Sequence, residues 1–324
     1  MTRRIVHLGF VGAGYVAVRH AESLARLDGV HITAVTDPRV ERMERFARLT
    51  GARPHAGHED MFDDERLDAV YICVPPGAHG LPERAAIERG LPFFVEKPLA
   101  CDVTTAEGIA ELVRDAALPT ATGYHWRYLD TVERAAELLA DNPPLLVLGF
   151  WLDRPPGTDW WLRQDQSGGQ LVEQATHLFD LARLLVGDLE VLHADAARLP
   201  GADGGEIHRA AMSSLRFASG AIGSIAATCV LNHGYRMGIE FFCTGRTVML
   251  SEHELVVDEG VRRWMTTAQG DPFLREDADF VDAVRGEPSQ VRAPYAEALR
   301  THRIACAAAA AAYTGAKGEA SVRG

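Results

Sequence analysis

Ile5-Val6-His7-Leu8-Gly9-Phe10-Val11-Gly12-Ala13-Gly14-Tyr15-Val16-Ala17 is the stretch whose reading decides the fold. An apolar, β-branched run, Ile5–Val11, gives way at Gly12 to a turn, and a helical pattern follows over Val16–Leu27. The spacing Gly12-x-Gly14-x-x-Ala17 is the GxGxxA turn of a dinucleotide-binding βα unit. Gly12 permits the tight turn, Gly14 lets backbone approach a pyrophosphate, and Ala17 keeps the helix close to the sheet. The helix start turns its unpaired N–H groups and positive dipole end toward phosphates, so contacts are expected from Gly12, Ala13, Gly14, Tyr15 and Val16. The next strand, Ile32–Thr36, ends at Asp37, 23 residues past Gly14. Its carboxylate is placed to accept from the adenosine ribose hydroxyls and to repel a 2′-phosphate, which favours NAD over NADP. Arg39 softens that preference without reversing it.

Outward from this turn, strand patterns at Ala69–Val74, Pro92–Val95 and Pro119–Gly123 alternate with helix patterns at Arg39–Leu49, Leu81–Gly90 and Thr104–Ala116. Such alternation predicts an α/β, doubly wound (Rossmann) parallel sheet over residues 1–125. A connecting helix, Thr131–Ala140, stops at Asn142-Pro143-Pro144. Past Leu145 the character changes. Strands are expected at Leu145–Leu152, Val191–Ala197, Ala210–Phe217, Ala221–Val230, Met237–Thr244 and Thr247–Ser251. A hairpin, Glu254–Val257 with Val261–Met265, follows, and one amphipathic helix, Gln170–Val186, interrupts the strands. Short glycine-containing turns predict a mostly antiparallel sheet. Residues 126–324 therefore read as an α+β domain for substrate binding and oligomerisation. The closing helices, Phe273–Val284 and Tyr295–Tyr313, are free to pack back on the first domain.

Composition narrows the function classes. The chain has 324 residues, 47% of them hydrophobic, and a formal charge of −12. That charge, without a basic stripe, argues against nucleic acid. No apolar stretch reaches the length of a membrane helix, and the N-terminus enters a strand at once, leaving no signal-peptide core. Five scattered cysteines (73, 101, 229, 243, 306) without a CxxC pair indicate neither a disulfide framework nor a metal site. A cytoplasmic location is expected. Of the 33 basic residues only two, Lys97 and Lys317, are lysine. A titratable amine can come from no other side chain, and Lys317 lies in a polar tail.

Two further stretches carry a family resemblance. Phe93-Phe94-Val95-Glu96-Lys97-Pro98-Leu99 resembles the strand-end EKP of the Gfo/Idh/MocA oxidoreductases. Gly168-Gly169-Gln170-Leu171-Val172-Glu173-Gln174-Ala175-Thr176-His177-Leu178-Phe179-Asp180 resembles their GGG-x-L-x-D-x-G-x-H-x-x-D helix. The likeness extends through Pro75-Pro76-Gly77-Ala78-His79 and Gly286–Tyr313. It implies NAD(P) binding, with oxidation or reduction of a hydroxyl or carbonyl carbon on a sugar or cyclitol, in a homo-oligomer (dimer or tetramer). It also implies that Pro75, Pro76 and His79 lie along the cofactor, although His79 could instead cap a helix. Glu96 and Lys97 would lie beside it. The chain departs from the family at Gln170, Glu173 and Ala175, where the family has Gly, Asp and Gly.

The residues point the same way. Lys97 ends a strand on the carboxyl edge, where open α/β sheets hold their ligands. Glu173, His177 and Asp180 follow at i, i+4 and i+7, within about 60° on one helical face. Oxidation of an alcohol needs a base titrating near working pH, the role expected of His177. Lys97 as ammonium would stabilise developing charge on the reacting oxygen, and Glu173 would orient substrate or tune Lys97. Substrate contacts are expected from Tyr124, His125 and Arg127, from Trp160 and Trp161 stacking on a sugar ring, and from His233. Asp180 either contacts substrate or pairs with an arginine. Two other functions share these residues: a glycoside hydrolase or lyase that oxidises its sugar transiently, and a non-catalytic NAD-binding regulator.

Overall fold

The computed structural model describes residues 3–201 and 206–314. Lys317 lies outside them. The chain divides into two compact units. Of the described residues, the first holds those up to Ala100, Thr104–Tyr128 and Asp271–Leu299, and the second holds Cys101–Val103, those within Leu129–Gly270 and those from 300 to 314.

In the first unit, β1 (Val6–Val11), β2 (Val30–Thr36), β3 (Arg53–Pro54), β4 (Ala69–Ile72), β5 (Phe93–Val95) and β6 (Thr120–Thr122) alternate with helices. These are α1 (Tyr15–Leu24), α2 (Val40–Thr50), α3 (His58–Asp64), α4 (Leu81–Glu88) and α5 (Val103–Ala116). The strands pair in parallel in the order β3-β2-β1-β4-β5-β6. This is the expected doubly wound sheet, whose order reverses between β1 and β4, the position where such sheets bind ligands. The strands are short and apolar because both faces are buried. Val6, Leu8 and Phe10 pack with Ala17, Ala21 and Leu24 of α1 on one side, while Val70, Ile72, Phe93 and Val95 pack with Ala106 and Ile109 of α5 on the other. The sequence pattern showed neither β3 nor α3. The first is two residues long and the second seven, too short to display a period.

The second unit opens with α6 (Asp130–Asp141), β7 (Pro144–Leu152), α7 (Gln164–Ser167), α8 (Gln170–Glu173) and α9 (Thr176–Val186). Strands β8 (Leu189–Ala197), β9 (Ala210–Phe217), β10 (Ile222–Thr228), β11 (Arg236–Cys243), β12 (Arg246–Leu250), β13 (Glu254–Asp258) and β14 (Arg263–Thr267) follow. Their order is β14-β13-β12-β11-β7-β10-β9-β8. All neighbours are antiparallel except β7 and β10, which run parallel from Leu146↔Ile222 to Leu152↔Thr228. Side chains alternate across this sheet. Val147, Ile225, Ile239, Phe241, Val248 and Leu250 are buried on one face, where Leu178 of α9 lies over Gly149. Leu146, Leu148, Phe150, Met212, Ile222 and Phe242 occupy the other face and are half-buried or exposed.

One expectation needs correction. The single helix Gln170–Val186 is two helices, α8 and α9, broken at Gln174-Ala175. There the Ala175 N–H reaches back five residues to Gln170 O, and the His177 N–H three residues to Gln174 O. The apolar pattern runs through the break, so the sequence does not announce it. Moreover, α9 is buried all round from Thr176 to Arg183 rather than amphipathic.

The chain closes with α10 (Pro272–Arg285) and α11 (Tyr295–Thr314). Helix α10, which Asp271 caps by accepting from the Phe273 and Leu274 N–H groups, belongs to the first unit, where Phe280 and Val281 join the core. The first unit is thus completed from the far end of the chain. Among the described residues no helix is long and apolar enough to cross a membrane.

Gly12 is the tightest point of this frame. Its φ is +95°, and a Cβ there would stand 2.2 Å from the Cys73 carbonyl oxygen. Gly12→Ala is expected to lower the unfolding free energy in urea by at least ~1–2 kcal/mol, the cost of left-handed backbone before the clash is added. Wild-type stability would contradict the placement.

Candidate functional site

In the first unit, candidate residues lie at the carboxyl ends of the parallel strands. After β1, the Gly12 N–H donates to Thr36 O at the end of β2. Asp37 then braces the turn: its Oδ2 accepts the Ala13 N–H and its Oδ1 the Arg39 N–H, each at 2.8 Å. A carboxylate oxygen has a second lone pair, so both can still accept from a ribose. Helix α1 begins at Tyr15 with no side-chain cap, leaving its first N–H groups to an outside acceptor. A Cβ on Gly14 would meet no protein atom within 4 Å. Nothing inside the chain therefore demands glycine there. Open space beside uncapped N–H groups is the cradle that a pyrophosphate requires, so these residues fit a dinucleotide.

Further along the edge, β4 leads to Pro75 and to a turn of 3-10 helix over Pro76–Ala78. The buried His79 places Nδ1 2.6 Å from Glu83 Oε1, while Glu83 Oε2 accepts the Gly80 N–H at 2.6 Å. This pair closes the start of α4, the capping arrangement among the two readings of His79. Strand β5 delivers Glu96 and Lys97. Glu96 is 6% exposed, and its carboxylate is turned inward. Lys97 is half-buried.

After β6 the chain enters Tyr124 and a 3-10 turn, His125–Tyr128. The His125 ring stacks on Phe273 at 4.7 Å. Arg127, expected to face substrate, is instead 3% exposed and held inside the first unit. It donates to Arg292 O at 2.6 Å and meets Glu297 Oε1 at 3.3 Å. Tyr124, likewise expected at the substrate, is buried in the core.

In the second unit, the candidate residues lie on and around α8 and α9. Trp161, expected to stack on a sugar, is fully buried beside Ile207 and Cys229. Its indole Nε1–H donates to Glu173 Oε2 at 2.7 Å. Trp161 thereby anchors one oxygen of the half-buried Glu173. Trp160 is half-buried against the same cluster. His177 is 3% exposed, its ring stacked on Trp151 of β7 at 5.7 Å and 16°. Asp180, 1% exposed, accepts from the Thr301 hydroxyl at 2.7 Å, and that hydroxyl accepts from Arg183 at 2.8 Å. Asp180 is thus linked to an arginine, through Thr301, in the interior of the second unit. His233 is exposed in the connection between β10 and β11, 2.8 Å from Asn232 Oδ1.

Sequence reasoning missed Trp151 as the support of His177. Its signal is register: Trp151 lies on β7 an even number of residues from Val147, on the face that α9 covers. It also missed the donor role of Trp161, because a paired Trp gives no sign of which ring turns inward.

Gly14→Ala separates ligand from frame. With φ at −75° and space for a methyl, stability should stay within about 1 kcal/mol of wild type. NADH affinity, read by quenching or calorimetry, should fall at least ~10-fold, which is about 1.4 kcal/mol. Unchanged affinity would remove Gly14 from the site.

The profile of the oxidoreductase family with an NAD-binding Rossmann fold matches residues 6–124, and that of the GFO/IDH/MocA C-terminal domain matches residues 145–249. The myo-inositol 2-dehydrogenase of Thermotoga maritima is 27% identical over 308 residues, 88% of this chain and 90% of that protein. The NADP-dependent D-xylose 1-dehydrogenase 2 of Haloferax volcanii is 28% identical over 191 residues, 58% of each chain. Among solved structures, the WlbA dehydrogenase of Bordetella pertussis, in complex with NADH and UDP-GlcNAcA, superimposes with a TM-score of 0.86 at 21% identity, covering 100% of both chains. With the turn at Gly12, the strand-end Lys97 and both profiles in agreement, the chain is an oxidoreductase that belongs to the GFO/IDH/MocA family.

Proposed function

We propose that this enzyme moves a hydride between NAD and the secondary hydroxyl or carbonyl carbon of a sugar, cyclitol or amino-sugar. The observation that carries the reading is Lys97 at the carboxyl end of β5, on the strand edge that also holds the Gly12 turn and Asp37. Relatives named as inositol and xylose dehydrogenases support the substrate class.

When bound, the nicotinamide supplies the redox chemistry. The chain supplies orientation and proton control. Gly12, Ala13, Gly14, Tyr15 and Val16 hold the pyrophosphate, and Asp37 holds the ribose. Because both Asp37 oxygens are already pinned by backbone N–H groups, the carboxylate cannot swing away from a 2′-phosphate, which favours NAD over NADP. Pro75, Pro76 and Glu96 shape the backbone along the cofactor. Lys97 donates to the reacting oxygen and stabilises negative charge on it as the proton leaves. His177, held flat on Trp151, takes that proton in oxidation and returns it in reduction. Glu173, held by the Trp161 indole N–H, orients substrate. His125, Trp160 and His233 are the remaining substrate contacts.

The enzyme works in the cytoplasm, in keeping with five unbridged cysteines. It assembles as a dimer or tetramer through the second sheet. On the sheet face away from α9, the half-buried Leu146, Leu148 and Phe150 and the exposed Met212 and Ile222 support this reading. Sedimentation at micromolar concentration should show the assembly, and a monomer would contradict it.

A panel of polyols, cyclitols and amino-sugars read by NADH absorbance tests the function, and formation of NADH with at least one is expected. Lys97→Ala and His177→Ala should each keep NADH binding and lose at least ~10²-fold in kcat. Near-wild-type turnover in both variants would overturn the assignment. In thermal shift, NAD should stabilise more than NADP; the reverse order would overturn the role of Asp37.

A further inference from the structure

Behind Lys97, inside the first unit, lies a charged cluster that the reaction above leaves unused. His20, on α1, is fully enclosed. Its Nδ1 is 2.8 Å from Asp277 Oδ1 on α10, and its Nε2 is 3.0 Å from Glu96 Oε1. Ionised carboxylates only accept hydrogen bonds, so the ring satisfies both neighbours only by donating from both nitrogens, as an imidazolium. Three aromatic rings surround it in tilted or edge-on contact: Phe94 at 4.7 Å, Phe273 at 5.2 Å and Tyr71 at 5.3 Å. The Tyr71 hydroxyl donates to Asp277 Oδ1 at 3.0 Å. On the far side, Glu96 Oε2 accepts the backbone N–H of Lys97 at 3.1 Å. The chain keeps this space clear, since a Cβ on Gly123 would lie 2.4 Å from Glu96 Oε1.

We propose that His20 and Asp277 are positioning residues for Lys97: the ring, clamped between Asp277 and Glu96, holds the Glu96 carboxylate inward, and Glu96 fixes the strand end that presents Lys97. The inference rests on the reading of Lys97 as the group that meets the reacting oxygen. A buried charge pair is seldom a net gain in stability, so its use is better sought in what it orients.

The charges around Glu96 are mutually consistent. Burial alone would push the Glu96 carboxyl up, but the hydrogen bond and charge of His20, followed by the charges of Lys97 and His125, hold it below its ordinary value. Burial would lower His20, yet Asp277 and Glu96 together raise it well above the usual histidine range. Tyr71 and Cys73 of β4 are pushed up, chiefly by burial, and remain neutral. Glu276, next to Asp277 on α10, is raised well above its ordinary value by burial first, and neither of its oxygens has a hydrogen-bond partner. Burial favours its neutral form, and the hydrogen bonds to His20 come from Asp277 and Glu96.

The test combines kinetics with a readout that needs no turnover. In the cofactor-free protein, 15N NMR of the imidazole, assigned by difference from His20→Asn, should show both His20 nitrogens protonated between about pH 6 and 8. A neutral ring at pH 7 would overturn the proposal whatever the enzyme acts on. In the polyol assay, His20→Asn should bind NADH within about 3-fold of wild type and lose at least ~10-fold in kcat. Its acid limb of kcat against pH should move upward, because Glu96 then stays buried without its cation and protonates sooner. Adding Glu96→Gln should abolish that limb and cost no more than Glu96→Gln alone. Asp277→Asn serves as the second variant if His20→Asn unfolds, with the same displaced limb expected. A lower melting temperature with an unmoved limb and additive losses would mean a structural role only and overturn the proposal. A wild-type protein without turnover on any polyol would instead count against the proposed function, and the NMR result would still decide the state of the clamp.

Discussion

Parallel pairing in the first sheet imposes the constraint from which the rest of the site follows. When β2, β1, β4, β5 and β6 run the same way, their carboxyl ends share one edge. Asp37, Gly12, Pro75, Lys97 and His125 are scattered through 114 residues of sequence, and each lies within three residues past one of those ends. The helices between the strands are spacers with an apolar stripe. Gly12 fixes the edge most firmly, because its carbonyl neighbour on the β4 side leaves no room for a side chain. The edge is therefore built by steric exclusion as much as by attraction.

Behind that edge the chain spends charge in an apolar setting. His20, Asp277 and Glu96 sit among aromatic rings, where an isolated ion would be expensive and a paired one is tolerable. The second unit repeats the theme with neutral donors. An indole N–H holds Glu173, and a threonine hydroxyl relays Arg183 to Asp180. In each case a polar side chain is held by a partner distant in sequence or in fold element.

That pattern explains what the sequence could reveal. Strands β1, β2, β4, β5 and β6 and their helices were legible because a parallel sheet between helices imposes strong local periodicity, and GxGxxA marks its entrance. Most second-sheet strands were legible from alternation and glycine turns. The break between α8 and α9 was not, since hydrogen-bond slippage leaves the apolar spacing intact. Nor were the partners of Arg127, Trp161 and Asp180. Which way a polar side chain turns depends on Arg292, Glu173 and Thr301, and local pattern says nothing about such remote positions. Lys97 was legible for an unusual reason: with one other lysine in the chain, its place at a strand end stood out.

The central claim is that the carboxyl edge of the first sheet seats the cofactor with its nicotinamide beside Lys97. A crystal structure of the protein with NADH tests it most directly. The account predicts the pyrophosphate on the N–H groups that open α1, the adenosine ribose on Asp37, and the nicotinamide ring in contact with the Lys97 segment. A dinucleotide bound elsewhere, or a nicotinamide far from Lys97, would contradict it.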